Sequence, residues 1–326
     1  MPAFSRIGLS TSFTRRQPLY KSGLRLASTS WSNRLLQHAL RSMSSRAPVD
    51  ASGGLPVFKR DSKPEWTENP NPTFAFGQKV SATPEGSKWL EGEKAGWKTV
   101  DAASEDPGKM YALMISGIVP RPIAFVSSIS EQGVENLAPF SWFNQVTHYP
   151  PLISVSFASN ANGGSKDTPG NIKATKGFTV NIISEPFVEN ANFTSLDAPA
   201  DVSEWPLSGL TKEPSVHVKA ARVKESAFSM ECELFQAIDI IHPSTNQHTA
   251  TMILGLVKCI HVRNDVLNER GVVDYTKLKP VGRMGDITYT RVGDGFRIPR
   301  PAWKLEGEKI TEFLKGLENS KDSSAL

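Results

Sequence analysis

The 326-residue chain contains two cysteines, no acidic residue before Asp50 and no apolar run near the roughly 20 residues that a bilayer span requires. Two cysteines exclude a disulfide framework. The separation of Cys232 and Cys259 suggests neither a metal cluster nor a redox pair, so both are expected as small core hydrophobes. His148, His217, His242, His248 and His261 lack the spacing of helical metal ligands, and no metal site is expected. The run NANGGSKDT places glycines before a lysine at the wrong interval for a phosphate-binding loop, and GRMGDITYTRVGDGF lacks the strand-to-helix setting of a dinucleotide fingerprint. Ser128 and Ser141 have no partner that would make either a nucleophile, so a hydrolytic site is not visible.

What is present is a charge asymmetry. Eight of the 37 basic residues and none of the 33 acidic ones lie before Asp50, which leaves the body of the chain mildly acidic. No basic groove follows, and nucleic acid is excluded as a partner. The first 49 residues are rich in Arg and Ser and carry an amphipathic stretch around Trp31 to Met43. This composition predicts a mitochondrial presequence, with a disordered basic tail on a cytoplasmic protein as the alternative.

Residues 50–108 mix Pro, Gly, Lys and Glu with aromatics and read as an irregular extension. Trp66, Phe74, Phe76, Trp89 and Trp97 are expected to pack partly against the core, with a plain linker as the alternative. From Met110 onward, short runs of Val, Ile, Phe and Ser between turn residues predict antiparallel strands at 123–130, 135–147, 152–158, 178–183, 228–241, 249–262 and 287–290. Helices are predicted from Asp167-Thr168-Pro169, after Ser184-Glu185-Pro186, and at 309–318. The fold class is mainly β, an antiparallel barrel or sandwich with peripheral helices, over residues 109–295. Residues 296–326 form a closing helix and tail.

The segment GVENLAPFSWFN interrupts the second strand with Pro139. A proline and small neighbours remove ladder hydrogen bonds and free main-chain polar groups, which must find partners. A flat heteroaromatic ligand with donors and acceptors on its rim would supply them. Downstream, Ser165-Lys166-Asp167-Thr168 sets an ammonium beside a helix start, where free N–H groups favour a phosphate. The plainer reading is a strand kink followed by an ordinary capped helix.

The order PRPIAFVSS, GVENLAPFSWFN, YPPLISVSF, KDTPGNI and GFTVNIIS resembles the flavin reductase-like family with the FMN-binding split-barrel fold. The likeness is specific over 111–183 and weaker through VGRMGDITYTR. It implies an antiparallel six-stranded Greek-key barrel, a homodimer, bound FMN, and NADH or NADPH as electron donor. Its alternatives are an FMN-binding electron carrier and a non-catalytic split-barrel module. By the same resemblance, Ser127 and Ser128 approach the ribityl chain and phosphate. Ala138, Phe140 and Ser141, within the intact run from Asn136, meet the isoalloxazine edge through backbone groups, with Pro139 shaping the kink and Asn144 nearby. Lys166 and Thr168 hold the phosphate, while Asp167 orients Lys166 or caps the helix. Arg283 and Tyr289 lie on the flavin or nicotinamide side. Trp142 departs from the family's pattern, in which a smaller aromatic follows the serine.

Overall fold

The computed structural model describes residues 55–60, 62–160 and 164–323; the expected presequence lies outside them. Seven runs form one sheet: β1 Ala124–Ile129, β2 Glu135–Phe140, β3 Phe143–His148, β4 Pro151–Ala158, β5 Gly177–Asn181, β6 Phe228–Ile241 and β7 His248–Val262. Every pairing is antiparallel, in the order β2-β1-β5-β6-β7-β4-β3. The hairpin between β1 and β2 turns as its Glu-Gln-Gly sequence requires, with Gly133 at φ +86° and its N–H donating to Ser130 O.

The resemblance implies a six-stranded Greek-key barrel; the described residues form a mainly β fold with one large antiparallel sheet and no closed barrel. The sheet has seven strands and stays open, because the stretch read as one interrupted strand supplies both of its edges. The break falls at Ser141-Trp142 rather than at Pro139, which sits inside β2 opposite Phe125. Leu137 N–H points away from β1, toward Glu204. Main-chain groups alternate sides along a strand, so the missing N–H of Pro139 falls on the same outer row, where no ladder bond is lost. The sheet rolls until its ends touch: the Phe140 ring meets Phe157 of β4 edge-on at 4.5 Å.

Rolling gives the sheet a core on each side of β1. Ala124 and Val126 join Val155, Phe157, Phe178, Val180 and Ile253 inside the roll. Phe125 and Leu137 face the other way, toward Ile183, Phe187 and Trp205. Burial on both faces explains why Ile123 to Val126, leading into β1, reads as a continuous apolar run rather than an alternating one. The helices include α1 Pro107–Gly117, α2 Asp167–Thr175, α3 Val188–Phe193, α4 Trp205–Ser208 and α5 Trp303–Ser323, of which α2, α3 and α4 lie against β1 or β2. A short hairpin, β8 Val281–Arg283 and β9 Tyr289–Arg291, lies against β1 through an Arg121–Arg283 bridge.

The extension holds one helix, Pro84–Leu90, capped by Thr83. Its aromatics do not pack as expected. Trp66 meets Tyr275 and Phe76 meets Phe313, each edge-on at 5.3 Å. Trp89 and Trp97 stand 81% and 88% exposed.

Candidate functional site

A cavity of about 320 Å³ opens between β2, the start of α2 and the segment that follows α3. Asn136, Ala138, Pro139 and Phe140 line one wall, and Ser165, Lys166, Asp167 and Thr168 line another. The interrupted ribbon and the lysine before the helix therefore share one space. Asn160, Thr194 to Ala198, Ala200 and Glu204 complete it.

A buried polar chain runs through these walls. Thr168 Oγ1 donates to Asn136 Oδ1 at 2.6 Å, and Asn136 Nδ2 donates to both oxygens of Glu204 at 3.1 Å. Leu137 N–H donates to Glu204 Oε2 at 3.0 Å. Asn171 Nδ2 donates to Ser128 Oγ at 3.2 Å, bringing the second turn of α2 onto the same network. Glu204 is 4% exposed. Burial raises its pKa; the Leu137 hydrogen bond opposes that rise, and the neighbouring charge of Asp167 adds to it.

Lys166 is exposed and immediately precedes the first helical residue, so its ammonium and the unpaired first-turn N–H groups lie on the same side as the cavity. Asp167 is that first residue and does not cap; α2 has no side-chain cap. Leu137 and Pro139 turn their main-chain groups away from β1, but Leu137 is fully buried, so the carbonyl available on the cavity side of β2 is that of Pro139. Those of Ala138 and Phe140 face β1.

The other expected site residues lie away from the cavity lining. Ser128 is buried behind Asn136, and Ser127 lies on the opposite face with its Oγ buried and unpaired. Ser141 sits at the bend and accepts from Arg121 Nε at 3.3 Å. Asn144 is exposed on β3, where its Oδ1 accepts from Gln145 N–H. Arg283 stacks over Tyr289 at 4.6 Å, and Tyr289 OH donates to Asn192 Oδ1 at 2.8 Å. Burial raises the Tyr289 pKa.

Two residues escaped the sequence reading. Glu204, in SEWPL, carries no motif and becomes visible only when the chain returns to β2. Arg121, in PRP, is 8% exposed. Its guanidinium donates to Ile118 O at 2.9 Å, to Met284 O at 2.8 Å and to Ile115 O, tying α1 to the β8–β9 hairpin. Burial and the Arg283 charge lower its pKa.

Residues 116–280 match the flavin reductase like domain. An uncharacterized protein of Aquifex aeolicus is 38% identical over 186 residues, which are 57% of this chain and 91% of that one. Among solved structures, nitrilotriacetate monooxygenase component B from Bacillus cereus is 33% identical with a TM-score of 0.60, covering 62% of this chain and 99% of its own. A protein described as a flavin reductase with split barrel domain, from Shewanella frigidimarina, shares the fold at 20% identity and a TM-score of 0.54, covering 63% of this chain and all of its own. The sequence relatives come from bacteria and an archaeon, cells without mitochondria. The mitochondrial expectation is thereby corrected. Among the described residues, no helix is long and apolar enough to cross a membrane.

Proposed function

Because the chain belongs to the flavin reductase like domain family, and so to proteins of flavin-related redox function, we propose that it holds FMN in the cavity between β2 and α2 and draws electrons from NADH or NADPH. The observation that carries this reading is the meeting of Ala138, Pro139 and Phe140 with Ser165 to Thr168 around one cavity.

The residues present suit such a group at both ends. The Lys166 ammonium and the first-turn N–H groups of α2 offer charge-assisted donors to a phosphate. The Pro139 carbonyl offers an acceptor to ring N–H groups, and Phe140, braced by Phe157, offers a flat apolar wall. The Thr168–Asn136–Glu204 chain fixes the distance between these two walls. FMN supplies hydride acceptance and onward electron transfer when bound, and the protein's share is binding and orientation. No acid–base residue is needed for that step. A homodimer belongs to the same reading, supported by the exposed Val146 and Tyr149 at the β3 edge.

The test is FMN titration of the purified full chain followed by visible spectroscopy, then anaerobic addition of NADH or NADPH. Stoichiometric uptake and bleaching of the flavin bands are expected. Failure to take up FMN overturns the reading, and uptake without bleaching by either nucleotide leaves an electron carrier.

A further inference from the structure

Glu231 on β6 and Cys259 and His261 on β7 bring three different donor atoms within 4.8 Å of one another, on a part of the sheet that lines no portion of the cavity above. Their meeting depends on a defect in the ladder. Val257 pairs with Cys232, but Cys259 pairs with Glu231, so Lys258 is an extra residue in β7. Residues directly opposite in a ladder share a face, and one extra residue reverses the alternation. Val257 and Cys232 therefore face the core inside the roll, whereas Cys259 and His261 fall on the face of Glu231. Without the bulge, both would point inward.

The carboxylate is held ready. Glu231 is fully buried, and its oxygens accept from the backbone N–H groups of Val216 at 2.8 Å, His217 at 2.5 Å and Val218 at 3.3 Å. His261 Nε2 lies 2.6 Å from Glu231 Oε1 and 3.5 Å from Cys259 Sγ. A tetrahedral zinc centre with bonds of about 2.0 to 2.3 Å separates its ligand atoms by about 3.3 to 3.5 Å. The sulfur–nitrogen distance already has that value. The nitrogen–oxygen distance needs to open by under about 1 Å, which His261, at 25% exposure, has room to do.

We infer that Cys259, His261 and Glu231 form a site for one zinc-class divalent cation on the outer face of the β6–β7 ladder. Thiolate, imidazole and carboxylate are the donor set of a borderline-soft ion, and water takes the fourth position. Binding releases the Cys259 thiol proton to solvent, while the neutral His261 ring carries its proton on Nδ1 and turns the Nε2 lone pair to the ion. The backbone N–H groups around Glu231 serve as the outer shell that orients a ligating carboxylate. The ion would tie the 216–218 loop to both strands.

The test titrates the chelator-treated full chain with Co²⁺ as a spectroscopic probe, followed by competition with Zn²⁺. One equivalent should bind, with a thiolate-to-cobalt band in the near ultraviolet that Zn²⁺ abolishes. Cys259→Ser should remove the band, and His261→Gln should weaken affinity by more than about tenfold. Circular dichroism of each variant confirms that folding is retained. Absence of a stoichiometric band in the parent chain overturns the proposal, as does a band that persists in Cys259→Ser.

Discussion

Asn136→Ala tests whether the polar chain in the cavity walls bears on both stability and ionisation. The substitution deletes the amide that spans Thr168 and Glu204 and leaves the carboxylate with the Leu137 N–H. A hydrogen bond to a charged group is worth about 1.5–3 kcal/mol and a neutral one about 1 kcal/mol, so the loss is about 2.5–4 kcal/mol near neutral pH. At 2–4 °C per kcal/mol for a domain of this size, melting should fall by roughly 5–16 °C. The pH dependence has a definite sign. Glu204 already has a folded pKa above its ordinary value, and losing Asn136 raises it further. Between the unfolded value of about 4.3 and the raised folded one, the native state binds more protons than the unfolded state, so stability falls as pH rises through that window. The deficit relative to the parent chain should thus be largest at pH 7 to 8 and shrink toward pH 5. Calorimetric melting curves at both pH values measure it. A variant that melts with the parent at pH 7, or whose deficit is the same at both pH values, refutes the reasoning.

Lys166→Ala should weaken FMN binding by roughly tenfold to a hundredfold, the worth of one charge-assisted phosphate contact, and fluorescence titration would register an unchanged affinity if the phosphate lies elsewhere. Gly255→Ala should destabilise by about 1–3 kcal/mol, because its new Cβ would stand 2.5 Å from Phe178 Cζ in the core; an unshifted denaturant midpoint would mean that Phe178 moves freely. The Asp239 carboxylate is held down to about 2, chiefly by Lys173 and then by Thr251. Its contribution is present above the ordinary aspartate value and fades as pH falls toward 2. Since the group is half exposed, Asp239→Asn should cost less than about 1 kcal/mol at pH 7, by urea melts, and nothing at the acid end.

Local patterns disclosed most strands. Phe228–Ile241 was legible to the residue, because β-branched and aromatic runs between turn residues need no distant partner to be recognised. Strand count and closure were not, because Glu135 to His148 alternates as one strand and only the pairing of its halves with β1 and β4 reveals two edges. At the cavity, Asn136 to Phe140 and Ser165 to Thr168 could be singled out because a proline in a strand and a lysine before a helix are local signals. Glu204 could not, since it acts across 68 residues from Asn136. Ser127 and Ser128 read alike in the sequence, but a strand changes face at each residue, so Ser127 pairs with Leu137 and Ser128 with Asn136 on opposite faces. The Cys259–His261 grouping hid behind the Lys258 bulge, which no pattern of period two foretells.

The joint at Ser141 and Trp142 has a mechanical meaning. Two residues of extended chain reach about 7 Å, so the two borders of the sheet are leashed to each other however weakly their side chains adhere. Any breathing that moves β2 away from β4 is confined to that travel, and strain beyond it must pass along the backbone into β3.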